Sequence, residues 1–115
     1  MGEVKPSQDK AFKQFKDITW GYRAMFVVLD SYHRRGLTTI EQMLHRYAPT
    51  NENDTDNYVR FVVVNSGFSA NQYIDVDLEG VMIPIVAAMS HMENGKPAVY
   101  EDVLKGWKLF RKHQP

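Results

Sequence analysis

The chain has 115 residues, fourteen basic and fourteen acidic side chains, and no cysteine. That length supports one hydrophobic core but not two. The cancelled charge gives no global field toward nucleic acid or an anionic membrane, and the absence of cysteine removes disulfides, thiol catalysis and thiolate metal ligation together.

Met1 to Lys16 alternates charged and polar residues without an apolar stretch. It reads as a segment with no signal peptide, so the expected location is the cytoplasm as synthesised. Residues 1–10 are expected to be loosely ordered and 11–113 to form a single helical domain, with Ala11, Phe12 and Phe15 as the first core anchors. The longest apolar runs, Met25 to Leu29 and Val81 to Met89, are far too short to span a membrane.

The first long helix is expected to start near Asp17 or Thr19, either of which can accept a hydrogen bond from an orphan N–H. Trp20, Ala24, Val27 and Val28 form one apolar row and Tyr22, Met25, Phe26 and Leu29 the next. Together they mark a central, mostly buried helix. His33, Arg34 and Arg35 supply cations at its negative end, and Gly36 suits a left-handed stop. Thr38-Thr39-Ile40-Glu41 matches a capping box. Ile40, Met43, Leu44 and Tyr47 then recur at i, i+3, i+4 and i+7, the signature of an amphipathic helix that Pro49 ends.

The stretch Tyr58 to Val64 is β-branched and aromatic, as in a strand. A capping signal at Asn53 or Asp54, the spacing of Tyr58, Phe61, Val62 and Asn65, and the Ser66-Gly67 stop favour a helix instead. Phe68 to Asp77 reads as a connector with a short extended piece at Tyr73 to Val76. A fourth helix is expected over Glu79 to Glu93, with Met82, Ile85, Met89 and Met92 on one face and Pro84 either in the first turn or at a kink. Asn94-Gly95-Lys96-Pro97 ends it. A last helix from Tyr100 to Lys112 has acids at its start, bases at its end, and Val103, Leu104, Trp107 and Phe110 for the core. The expected fold class is all-α, with about five short helices.

Chemical constellations are sparse. The four histidines have no ligand spacing among themselves, so neither a metal nor a cofactor is expected. No serine stands in a nucleophile elbow and no glycine-rich phosphate loop exists. Lys105, Lys108, Arg111, Lys112 and His113 could meet phosphates, but they read first as a solvated helix face, and no specific nucleic acid is expected. Trp20, Tyr22, Tyr47, Tyr58, Tyr73 and Trp107 could stack on sugars, although aromatics at helical spacing belong first to a core. Carboxylates are the one catalytic chemistry left. Glycoside cleavage needs an acid on the leaving oxygen, and Glu52, in the polar turn after Pro49, and Glu93, before a helix stop, are the candidates. Each also has a structural reading, as a loop residue near a helix start and as an exposed residue before a stop.

Five ordered motifs resemble a family of phage and prophage proteins known as "structural protein P5". They are Phe12-Lys13-Gln14-Phe15 with Gly21-Tyr22-Arg23-Ala24, Leu37-Thr38-Thr39-Ile40, Tyr47-Ala48-Pro49, Glu52-Asn53-Asp54-Thr55-Asp56-Asn57-Tyr58, and His91-Met92-Glu93-Asn94-Gly95. The family occurs in phages, prophages and gut Bacteroidetes genomes and is distantly similar to the lysozyme-like superfamily. The resemblance therefore implies a lysozyme-like helical body, with peptidoglycan or a virion or cell-wall protein as partner and virion association as a location. It carries catalysis to Glu52 or Glu93, and ligand contact to Asn51, Asn53, Tyr58 and Arg23. The family's Arg- and Asn-rich segment ahead of the Phe-x-x-Phe motif is not in this chain, and Glu3 is the one glutamate before Phe12, where bacterial glucosaminidases place their acid. The resemblance thus implies a structural or cell-wall-associated copy with weak or no catalysis. An active muramidase or glucosaminidase and a small protein-interaction module are the alternatives.

Overall fold

In a computed structural model describing residues 18–48 and 52–112, the chain forms α1 (Ile18–Arg34), α2 (Ile40–Tyr47), α3 (Glu52–Ser66), α4 (Glu79–Asn94) and α5 (Tyr100–Lys112). No strand occurs among the described residues, so the fold is all-α as expected, and Tyr58 to Val64 is helical. The expectations for residues 1–10, for Ala11, Phe12 and Phe15, and for Pro49 lie outside the described residues.

Local signals explain most helix ends. Gly36, Gly67 and Gly95 take positive φ after α1, α3 and α4, a conformation that costs glycine little. At Gly95 the backbone N–H returns to the His91 carbonyl at 2.9 Å. The capping box before α2 is shifted by one residue from the expected register. Thr39 is the N-cap, its hydroxyl accepting from the Gln42 N–H at 3.1 Å, while the Gln42 side chain accepts from the Thr38 N–H at 2.9 Å. Gln42 takes the position expected of Glu41, because a Thr39 cap makes it the third helical residue, although its side chain reaches the N–H one residue before the cap. Thr39→Ala is expected to cost about 1 kcal/mol in urea unfolding and Thr38→Ala distinctly less, since Thr38 contributes backbone atoms rather than a capping side chain.

Thr19 is excluded as the cap of α1, and the start of α3 differs from expectation. Thr19 lies inside α1 and is buried rather than capping it, and Asp17 is outside the described residues. Asn53 and Asp54 lie within the first turn of α3, which begins at Glu52. Pro84 falls in the second turn of α4 rather than the first, and the helix runs through it.

The core shows which apolar rows were decisive. On α1 the Tyr22, Met25, Phe26 and Leu29 row is buried, whereas Trp20 stays 42% exposed and Val27 and Val28 are half-buried. On α4 burial extends almost all round, over Met82, Ile83, Ile85, Val86, Ala88, Met89 and Ser90, while Met92 is 37% exposed. The central helix is thus α4 as much as α1. Leu104 on α5 is only half-buried. Helix α1 packs against α5 and α3 against α4, with α2 on α3. Phe26 holds the α1–α5 seam, its ring 5.1 Å from Trp107 edge-on and 5.9 Å from Phe110. The Phe68–Asp77 connector contains no strand, yet Ile74 and Val76 are buried. It is stitched to the α1–α2 junction by Ile74 N–H to Thr38 O at 2.8 Å and Glu41 N–H to Ala70 O at 3.0 Å.

Candidate functional site

The end of α2, the first half of α3 and the last turns of α4 meet at Tyr47, Tyr58 and Glu93. The Tyr58 hydroxyl donates to Glu93 Oε2 at 2.7 Å and lies 3.5 Å from the Met89 carbonyl. Tyr47 lies near enough for the Glu93 charge to act on its phenol, and its ring meets that of Tyr58 edge-on at 6.4 Å. Burial, and then the adjacent Glu93 charge, push both phenols well above the ordinary tyrosine value. Both phenols therefore remain protonated across any ordinary pH, and Tyr58 remains a donor to Glu93.

The neighbouring polar residues reinforce the same junction. The Thr55 hydroxyl, buried, donates to the Ala48 carbonyl and ties the start of α3 to the end of α2. His45 and Asp56 face each other at 3.5 Å across the same pair of helices. One turn further along the same α3–α4 contact, the Phe61 and His91 rings meet edge-on at 4.9 Å. A large part of the Glu52–Tyr58 motif is thus explained by joining helices.

Of the residues singled out from the sequence, Tyr58 and Glu93 are brought together. Glu52 opens α3 and Asn53 follows it, but their side chains, and all of Asn51, lie outside the described residues. Arg23 is on α1, its guanidinium carbon 5.7 Å from the centroid of the Trp20 ring. The sequence marks Tyr47 as an apolar-face residue of the second helix, a motif residue and a possible stacking aromatic, but its proximity to Glu93 depends on folding. Tyr22, Tyr58 and Trp107 belong to the core, while Tyr73 is 61% exposed and hydrogen bonds to His33 at 2.9 Å.

A second feature opens beside the last turn of α4. Ile18, Tyr22, Ser90, Asn94, Val99 and Asp102 are among the residues lining a depression of about 310 Å³. Its floor is a polar chain in which the Tyr22 and Ser90 hydroxyls are 2.9 Å apart and the Asn94 amide donates to the Ser90 carbonyl at 3.0 Å and hydroxyl at 3.3 Å. Burial raises the Tyr22 phenol, the Ser90 bond offsets part of the rise, and Asp102 adds to it. Glu93 and Asn94 thus divide the end of α4 between two environments. Glu93 turns to Tyr58, and Asn94 turns to the depression. Among the described residues no group of three or more His, Asp or Glu side chains is placed to hold a metal ion. No described helix is long and apolar enough to cross a membrane.

Protein P5 of Pseudoalteromonas phage PM2 is 36% identical to this chain over 109 residues, which cover 93% of the chain and 66% of P5. The match supports a phage P5-like family. The chain spans a little under two thirds of that relative's length. No family model matches the chain, and no solved structure matches it.

Proposed function

We propose that this chain is a phage-derived structural or cell-wall-associated protein whose helical body does not carry efficient glycosidase chemistry. The observation that supports this reading is the use of Glu93. A general acid must present a proton to a leaving oxygen in reach of substrate. Glu93 instead accepts from Tyr58 at 2.7 Å, joining α3 to α4, with Tyr47 of α2 beside the pair. Virion association agrees with the similarity to a phage protein. A lysozyme-like relationship remains the family-level reading of the motifs around Glu52 and Glu93.

The second reading is a saccharide-binding body, in its strongest form a peptidoglycan glycosidase using Glu52 or Glu93. The depression beside Asn94 favours it, because Ser90, Asn94 and Asp102 offer donors and acceptors suited to sugar hydroxyls. The two readings separate in one pair of measurements. On the structural reading, the chain leaves the turbidity of a peptidoglycan suspension unchanged, and Glu93→Gln lowers stability by about 1 kcal/mol through the weakened phenol bond. Turbidity loss abolished by Glu93→Gln or Glu52→Gln in a still-folded protein would establish the glycosidase. Amide shifts clustered at Ser90 and Asn94 on muropeptide titration, without turbidity loss, would establish binding alone.

A further inference from the structure

A groove between α1 and α5 takes no part in the junctions described so far. It is lined by Thr19 and Trp20 from α1 and by Lys105, Lys108, Leu109 and Lys112 from α5, around about 390 Å³. The three lysines recur at i, i+3 and i+7 and share one stripe of the helix. The stripe of Val103, Gly106, Trp107 and Phe110 on the same helix is buried in the core. All three lysines are exposed, and none forms an ion pair among the described residues. Arg111 is different: it pairs with Asp77 at 3.0 Å and lies over Trp107 at 5.6 Å. Among the described residues no carboxylate lines the groove.

We propose that this groove binds single-stranded nucleic acid without sequence preference, the lysines meeting phosphates and the Trp20 indole stacking on a base. Single strands are held by a basic track beside an aromatic platform, and the groove supplies both on facing helices. A duplex offers the same phosphates but withholds its base faces from the indole. An anionic bilayer is bound most strongly by a helix that also buries an apolar face in the interface, and the apolar face of α5 is committed to the core. A protein partner needs a larger apolar centre than one indole and Leu109 provide. The volume lies near the lower end of small-ligand sites, ~300–1,000 Å³, which suits a nucleotide unit better than a folded surface. Binding here is independent of whether the chain acts on peptidoglycan.

The test is a titration of the whole chain with a thymidine oligonucleotide of about a dozen nucleotides, followed by tryptophan emission. Emission is expected to be quenched, and the quench to disappear in Trp20→Phe, since Trp107 is buried. The exposed triple variant Lys105→Gln, Lys108→Gln, Lys112→Gln, with its fold checked by circular dichroism, is expected to bind at least about tenfold more weakly. Three phosphate contacts to a single strand correspond to a salt slope of about −2, or roughly a 15-fold loss between about 50 and 200 mM salt. Unchanged binding by the triple variant would overturn the proposal, as would equal affinity for a duplex of the same length. A response to phosphatidylglycerol vesicles or polyglutamate but not to the oligonucleotide would also overturn it.

Discussion

Gly106→Ala is expected to lower the stability of the fold by about 2 kcal/mol, even though alanine is the better helix former. A Cβ at Gly106 would lie 2.5 Å from Tyr22 Cβ, 3.0 Å from the Arg23 nitrogen and 3.0 Å from the Thr19 carbonyl oxygen. Two of those neighbours are backbone and the third is a Cβ, so none can swing aside as a flexible side-chain end would. The α1–α5 seam must open, loosening Phe26 against Trp107 and Phe110. Overpacking of this kind costs about 1–3 kcal/mol and sometimes more, against a gain of about 1 kcal/mol in helix propensity. For a domain of this size the loss corresponds to a fall in Tm of roughly 8 °C. Thermal melts followed by circular dichroism check it, with Gly80→Ala as the control. Gly80 has open space around its missing side chain, so that variant is expected to melt at the same temperature or slightly higher. A Gly106→Ala protein as stable as the parent would refute the close approach of α1 and α5.

The second large effect is alkaline. Tyr47 and Tyr58 are held neutral by burial and by Glu93, and Tyr22 mainly by burial. Each folded-state pKa is raised above the unfolded value of about 10. Below that value the phenols are protonated in both states, and their contribution to stability is fully present. As pH rises past it, the unfolded chain loses protons that the folded chain retains, so stability falls until the folded phenols titrate as well. Each such tyrosine contributes a slope approaching about 1.4 kcal/mol per pH unit. Tyr47 and Tyr58 together are therefore expected to remove about 4 kcal/mol by pH ~11.5, enough to threaten a domain with an ordinary margin. Urea unfolding between pH ~8 and ~11.5 measures this slope. Tyr58→Phe should begin from a lower stability at neutral pH, having lost its bond to Glu93, yet decline less steeply. A Tyr58→Phe slope equal to the parent's would show that the Tyr58 phenol is not held neutral in the fold.

The motif Glu52-Asn53-Asp54-Thr55-Asp56-Asn57-Tyr58 shows how far local reading reaches. The helix that contains it was legible from the spacing of Tyr58, Phe61 and Val62 and from the glycine at its end, despite strand-like composition. Its start was misplaced because Asn and Asp are good caps and also tolerable first-turn residues, and only the path of the chain chooses between them. Thr55 and Tyr58 then reach partners 7 and 35 residues away, at Ala48 and Glu93. No periodicity encodes a partner at such a distance. For the same reason Glu93 appeared in the sequence as a carboxylate available for chemistry, whereas folding surrounds it with phenols.

Taken by itself, the sequence determined the number of helices among the described residues, their order and most of their ends. These follow from short-range physics: apolar spacing along one helix, threonine and glutamine at a start, glycine at a left-handed stop. Tertiary structure alone decided which apolar row of α1 became core, because periodicity reveals a face but not the neighbour that covers it. It also decided that Gly106 lies where α1 and α5 come closest, that Tyr47 and Tyr58 converge on Glu93, and that three lysines share a groove with Trp20. Each of these depends on helices distant in the chain meeting in space. That geometry is set by the packing of the whole core rather than by any one segment.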